Sequence, residues 1–309
     1  MDSQNDRINI LIVGATGHLG SLITKHCLAQ PKLLVNILVR DPQKNKELTE
    51  SVEKAGGKVW KGDLCQPETL DEPTKGMHTV LSTTFQMDKQ SGLDGQIALI
   101  DACVRNGVKR FSPSDYGESV EKLSKEELRE LGLVQFKVDV LEYLKTQPIK
   151  SIHFWPGVFM EMFFKVNAKG LSYWGNVDHV YNITSYEDTA KFVAAALVDE
   201  NRTGDHYFSV NTLTINQIAE IYNQIRGTNV TPKCHGSFEA LKAAFGFSKK
   251  NDPISLQTNM LAIFQIIYDD RCSFDKTHQR EFPDVQTTSL KEFLEQNPHV
   301  KLPAESTGN

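Results

Sequence analysis

Apolar residues in the first two-thirds of the chain follow two alternating rhythms. Segments that read as strands occur at Ile10 to Val13, which is wholly apolar, and at Leu33 to Arg40, Lys58 to Lys61, Met77 to Thr83, Val108 to Ser112 and Ser151 to Trp155, where apolar residues are interrupted by polar ones. A wholly apolar run is what a parallel strand shows when both faces are covered. Between them lie stretches with helical spacing: Leu19, Leu22, Ile23 and Leu28, then Ile97, Ile100 and Val104, then Val134 to Lys145, then Tyr186 to Leu197. Lys122 to Glu130 reads as a solvated helix face. Strand and helix in alternation predict an α/β fold with a doubly wound parallel sheet. A late strand is expected at His206 to Val210. After Thr214 the rhythm weakens to helices at Ile215 to Ile225, Ser237 to Phe245, Ile254 to Tyr268 and Ser289 to Gln296. The Ile254 to Tyr268 helix is either core or a lid.

The first strand runs into Gly14-Ala-Thr-Gly-His-Leu-Gly20. Gly14 can take a tight turn, Gly17 lets the backbone approach a phosphate, and Gly20 lets the following helix pack closely on the strand. A glycine triplet between a strand and a helix is the context that dinucleotide binding requires, because the helix N-terminus offers free N–H groups to a pyrophosphate. The fold is therefore expected to be a Rossmann domain over residues 1–157 and 178–212. A smaller substrate-binding part is expected over 158–177 and 213–303, and a frayed tail over 304–309. The second strand ends in Arg40-Asp41, with Lys44 and Lys46 beyond. An acid at that position reads a ribose hydroxyl, whereas a guanidinium grips a phosphate. Arg40 and Lys44 favour NADPH over NADH, with Asp41 the alternative reader of a hydroxyl. Asp63 would accept from the adenine amino group or close a turn. Thr83 ends the fourth strand, and Thr84-Phe85-Gln86 would lie over the cofactor. The stretch Val158 to Phe164 is either core or the lining of a substrate pocket.

The 309 residues carry a formal net charge of −5 and a pI near 6.0, which gives no electrostatic case for nucleic acid or an anionic membrane. No apolar segment approaches the roughly 18 residues that a bilayer span needs. The five cysteines are scattered without a CxxC pair, so reduced thiols, no metal site and a cytoplasmic protein are expected. A nicotinamide site needs a proton donor, and short-chain dehydrogenases commonly use Tyr-x-x-x-Lys. None of the eight tyrosines has lysine four residues later.

Gly14-Ala-Thr-Gly-His-Leu-Gly20, Leu38-Val-Arg40, Gly62-Asp-Leu64 and Gly107-Val-Lys-Arg-Phe-Ser-Pro-Ser-Asp-Tyr-Gly117 together resemble the atypical short-chain dehydrogenases of the NmrA-like type. Most similar are the isoflavone reductase-like proteins, which include phenylcoumaran benzylic ether and pinoresinol reductases. The resemblance runs from about residue 9 to Leu294. In that family a Pro-Ser-Glu-Phe-Gly segment closes the fifth strand and a lysine about twenty residues on is catalytic. Asp115 and Tyr116 stand at the acid and phenylalanine positions here, and Lys137 matches the lysine. The resemblance implies Lys137 as the acid/base, its ammonium losing hydration beside an apolar substrate. It also marks Gly157-Val-Phe-Met-Glu161 as the substrate side. The expected cofactor set is Gly14, Thr16, Gly17, His18, Leu19, Gly20, Arg40, Lys44, Asp63, Thr83, Phe85, Gln86, Ser114, Lys137, Pro156 and Gly157. The expected substrate set is Tyr116, Val158, Phe159 and Met162. The function implied is an NADPH-dependent reductase delivering hydride to a small or medium apolar electrophile such as an enone, quinone or benzylic ether. The rival is a non-catalytic NAD(P)-binding redox sensor that acts through a protein partner. An epimerase- or dehydratase-like sugar enzyme is disfavoured, because those typically retain the tyrosine–lysine pair.

Overall fold

The computed structural model describes residues 7–84 and 88–303. Its strands are β1 (Ile8–Val13), β2 (Leu33–Val39), β3 (Val59–Lys61), β4 (Thr79–Ser82), β5 (Arg110–Ser112), β6 (Lys150–Trp155), β7 (Val158–Phe159), β8 (Ser172–Tyr173), β9 (Val180–Thr184), β10 (Gly204–Tyr207), β11 (Asn211–Thr214) and β12 (Lys233–Cys234). Its α-helices are α1 (His18–Leu28), α2 (Lys46–Lys54), α3 (Asp71–Thr74), α4 (Gly95–Arg105), α5 (Lys125–Glu130), α6 (Leu133–Lys145), α7 (Met160–Val166), α8 (Tyr186–Leu197), α9 (Ile215–Arg226), α10 (Phe238–Asn251), α11 (Leu256–Ile267) and α12 (Leu290–Gln296). The chain forms two compact units. One is built from residues up to Asp115, with Gln135–Phe154 and Thr189–His206; the other from Tyr116–Val134, Trp155–Asp188 and residues from Tyr207 onward.

The first unit holds a seven-stranded sheet in the order β10-β6-β5-β4-β1-β2-β3. The ladders joining β1 through β6 are parallel. The order steps outward from β1 on both sides, so the chain reverses direction between β1 and β4, where open sheets of this kind bind ligands. The apolar runs explain the layering. Every residue of β4 is buried, as are Ile10 to Val13 of β1. Leu11, Val13 and Leu38 pack with Leu99, Ile100, Val140 and Leu144 in one core cluster. Register then sets the working edge. Val13 lies level with Ser82 and Leu81 with Ser112, so the chain leaves β1, β4 and β5 at neighbouring points. Arg110, only 1% exposed, donates to the carbonyls of Leu197, Asp199 and Arg202 and so ties off the end of α8.

The second unit holds a three-stranded sheet, β11-β9-β7, and a two-stranded one, β12-β8. Strand β9 pairs antiparallel with β11 and parallel with β7. Its core is aromatic: Phe163, Phe164, Tyr181, Tyr222 and Phe293 are all buried. Three expectations shift. The helix carrying Ile97, Ile100 and Val104, expected over Leu93 to Arg105, starts at Gly95 after a wide turn over Gln90–Asp94. The late strand runs Gly204–Tyr207 rather than His206 to Val210, since pairing with β6 sets its limits. Strands β7, β8, β9, β11 and β12 were not anticipated, because they are short and owe their conformation to distant partners. Among the described residues no helix is long and apolar enough to cross a membrane.

Candidate cofactor and catalytic site

The glycine turn is fixed by space as much as by conformation. Gly14 sits at φ +86, and a Cβ there would lie 2.9 Å from both Thr83 Oγ1 and Thr84 Cγ2. Gly20 is tighter: an added Cβ would come within 2.2 Å of the Gly14 carbonyl oxygen and 2.6 Å of Thr83 Oγ1. Thr83 closes the arrangement, its N–H and hydroxyl both donating to the Val13 carbonyl, at 2.8 and 2.9 Å. The Gly17 N–H donates to the Gly14 carbonyl at 3.0 Å. Gly17, which caps α1, offers no side-chain hydrogen bond, and the first turn of the helix carries no acid. Gly17 and His18 are exposed, and Thr16 and Leu19 partly so. An uncapped, accessible helix start beside a collar that excludes side chains suits a pyrophosphate.

At the end of β2, Arg40, Asp41 and Lys44 are exposed. The Asp41 carboxylate accepts from the Gln43 N–H at 2.9 Å, so it closes its own turn. Asp63 behaves likewise, accepting from the Cys65 N–H at 3.0 Å. Both aspartates thus have turn roles, while the exposed cations Arg40 and Lys44 stand at the strand's carboxyl end. Ser114 donates to the Thr84 carbonyl at 2.8 Å, and Gln96 donates to the Thr84 hydroxyl at 2.9 Å, which anchors the chain leaving β4. Phe85 and Gln86 lie outside the described residues.

Lys137 lies on α6 and reaches Asp115, the third residue after β5. Its Nζ donates to the Asp115 carbonyl at 3.2 Å. The side chain keeps solvent access, yet surrounding protein removes part of its hydration. That loss holds the ammonium below the usual lysine range, with the nearby Asp115 charge opposing it. Sequence reasoning missed what stands behind Asp115. Its carboxylate meets His153 Nδ1 at 2.6 Å, and His153 Nε2 meets the Ser151 hydroxyl at 2.8 Å. Burial lowers the affinity of His153 for a proton, but the bond to Asp115 and its charge outweigh burial, so the imidazole is held above its ordinary value. Alternation along β6 puts Ser151 and His153 on one face, the signal that a serine and a histidine two apart in a strand carry. Ser151 is level with Phe111 in the body of the sheet rather than on a turn at its edge, so the set orients an imidazole and does not present a nucleophile.

The remaining predicted residues belong to the second unit. Gly157 sits at φ +71, where a Cβ would come within 2.2 Å of the Asn182 carbonyl oxygen, and its N–H donates to the Gly117 carbonyl at 3.1 Å. Pro156 is buried and Tyr116 partly buried. The 158–164 stretch divides by helical and strand phase. Val158, Met160, Phe163 and Phe164 join the aromatic core, while Phe159 and Met162 stay partly exposed. The Phe159 ring lies 4.3 Å from that of Tyr186. The Glu161 carboxylate accepts from the Tyr186 N–H at 3.1 and 3.2 Å and so starts α8. Burial, with Glu161 adding to it, pushes the Tyr186 phenol up to about 12. In the same unit, Leu261 and Phe264 of α11 and Tyr268 just after it join Trp174 and His235 around a cavity of about 210 Å³. Helix α11 is therefore neither wholly core nor wholly cover. Leu261 and Ile266 are buried, while Leu256 at its start is exposed.

Known proteins resemble this chain over most of its length. Eugenol synthase 1 of Petunia hybrida is 25% identical over 324 residues, covering 94% of this chain and 98% of its own. Phenylcoumaran benzylic ether reductase TP7 of Nicotiana tabacum is 24% identical over 312 residues, with the same coverage of 94% and 98%. Among solved structures, AtPrR2 with NADP+ and (+)pinoresinol superposes with a TM-score of 0.78 at 20% identity, covering 94% of this chain and 98% of that one. The model of the NmrA-like family matches residues 6–294, and the chain belongs to that family.

Proposed function

We propose that this protein is an NADPH-dependent reductase acting on a small or medium, mostly apolar electrophile, such as an enone, quinone or benzylic ether, with Lys137 as general acid/base. Family membership and relatives that are reductases support the oxidoreductase class. The glycine collar and the open start of α1 fit a dinucleotide, since a side chain at Gly14 or Gly20 would fill the cradle. Arg40 and Lys44 would hold the 2′-phosphate that distinguishes NADPH. When bound, the cofactor supplies the hydride. Thr83 and Ser114 fix the chain ends beside the glycine turn. Within the second unit, Phe159 and Met162 are partly exposed apolar side chains of the kind a substrate would contact. Lys137 holds the proton to be delivered to the substrate oxygen or carbanion.

One observation carries the reading. An accessible lysine, held below its ordinary pKa, bonds to Asp115 at the sheet edge that also carries the glycine turn. A lysine so placed gives up its proton more readily than an ordinary lysine, which favours general acid catalysis.

The test follows loss of NADPH absorbance over a panel of enones, quinones and benzylic ethers, with NADH as the cofactor control. Lys137→Ala is expected to lower kcat by roughly 10²–10⁴-fold while NADPH binding persists, the range for loss of a positioned acid. Turnover that survives the substitution removes Lys137 from the chemistry. Tight NADPH binding with no turnover on any substrate overturns the reductase reading in favour of a sensor.

A further inference from the structure

We propose that His153 is a positioning residue for Lys137: it holds the Asp115 carboxylate away from the lysine, so that the ammonium meets the Asp115 carbonyl instead of forming an ion pair. The inference rests on the reading of Lys137 as acid/base and deepens it.

Asp115 serves two partners with two different groups. Its carboxylate meets His153 Nδ1 at 2.6 Å, and its backbone carbonyl accepts from Lys137 Nζ at 3.2 Å. The Asp115 side chain is 3% exposed and that of His153 13%, so water competes little for either. A shielded carboxylate beside an ammonium turns toward it unless another donor holds it. A direct ion pair would stabilise the charged lysine and keep its proton from the substrate. A neutral carbonyl stabilises it far less. His153 supplies the competing donor, and the short contact has the length of a charge-assisted bond.

The imidazole is itself fixed at both nitrogens. Ser151 meets Nε2 at 2.8 Å from two residues back on the same strand. The Asp115 bond therefore survives deprotonation, because neutral His153 can donate from Nδ1 while Nε2 accepts the Ser151 hydroxyl proton. Asp205 and Lys145 also act on the ring, with opposite signs, and bias its charge without replacing the bond. Lys137 and His153 thus share one residue without sharing a proton path.

The experiment titrates Lys137 directly. The full chain labelled with ¹³C-lysine is followed by NMR, and the Lys137 signal is assigned by its loss in Lys137→Arg. In His153→Ala the carboxylate is released, and the Lys137 midpoint is expected to rise. His153→Asn, whose amide N–H replaces that of Nδ1, is expected to return it close to wild type. Asp115→Asn removes the carboxylate and is expected to lower the midpoint, as is the double substitution, where His153→Ala has nothing left to release. With a substrate from the panel, His153→Ala should lose about tenfold in kcat at neutral pH, with KM little changed and the pH profile displaced to the alkaline side. A Lys137 midpoint unmoved or lowered in folded His153→Ala overturns the proposal. Should that variant not fold, a midpoint unmoved in Asp115→Asn does so. Turnover persisting in Lys137→Ala instead overturns the acid/base reading and leaves the titration result standing.

Discussion

The two units cover their strands by opposite means. In the first, strands of up to seven residues lie side by side in parallel, and the buried runs Ile10 to Val13 and Thr79 to Ser82 are continuous in the sequence. In the second, β7, β8 and β12 are two residues each, and the core is made by aromatic rings from distant segments. Phe164 stacks on Phe293 at 6.3 Å and lies 6.0 Å from Tyr222. The first unit depends on backbone geometry that few substitutions tolerate. The second depends on side-chain volume, which can be redistributed.

The sharpest way to break the contrast is at the glycine collar. Gly20→Ala would place Cβ 2.2 Å from the backbone oxygen of Gly14, which no rotamer relieves. The expected outcome is loss of NADPH binding by at least about a hundredfold, an upper-end cost for overpacking against backbone. Gly76→Ala is the control. Gly76 has φ +70 but meets nothing within 4 Å, so only the conformational cost remains, about 1 kcal/mol. Fluorescence titration with NADPH and thermal melting separate the two. Equal affinity in both variants would show that the collar is not the cofactor's seat.

The same contrast explains what was legible. The parallel sheet was readable because each strand announces itself locally, and the turn because Gly14, Gly17 and Gly20 have a steric meaning at that spacing. Lys137 is singled out only by the likeness of Pro-Ser-Asp-Tyr-Gly to the family's Pro-Ser-Glu-Phe-Gly segment, since a helical lysine looks the same in sequence whether it works or not. The i, i+2 spacing of Ser151 and His153 shows only that they share a face of β6. The meaning of His153 comes from Asp115, 38 residues away, and from the parallel ladder that aligns β5 with β6. For Asp63 the sequence offers the turn and the adenine as alternatives, and for Asp41 it shows only the ribose reading, because an aspartate at a strand end has the same sequence signature for either use. In the second unit, Val180–Thr184 escaped notice because Tyr-Asn-Ile-Thr alternates too briefly to outweigh its surroundings.

A core built on volume makes a second prediction, read in stability rather than in cofactor binding. Phe164→Ala removes a ring buried between Phe293 and Tyr222 and should cost about 3–5 kcal/mol in the unfolding free energy, the range for deleting a buried phenylalanine. Phe164→Leu, which keeps most of the volume, should recover more than half of that. NADPH affinity, measured well below the melting temperature, is expected to stay near wild type in both. Chemical denaturation checks the first claim and fluorescence the second. A parallel loss of NADPH affinity would show that the aromatic core supports the cofactor site, and the division between the units would then be one of appearance.

The smallest effect belongs to the charges on the surface of the second unit. Arg271 donates to Glu127 at 2.7 Å and also to Asp269. Glu127 is held down to about 2, first by the Arg271 bond and then by the Ser124 N–H and hydroxyl. Its folded pKa lies below the ordinary 4.5, so whatever stability it contributes is complete above pH 4.5 and disappears as pH falls from there through about 2. The side chains are 43% and 45% exposed, so solvent screens most of the attraction. Glu127→Gln should therefore cost only about 0.5 kcal/mol at neutral pH, less in high salt. The wild type and variant should converge in acid, because protonated Glu127 no longer offers a charge to Arg271. Denaturation at pH 7 and at a series of lower pH values down to about 2, each at low and high salt, decides it. A cost above about 2 kcal/mol at pH 7 that persists in salt would place this ion pair beside the aromatic core in importance, and the second unit could not then be described as held by volume.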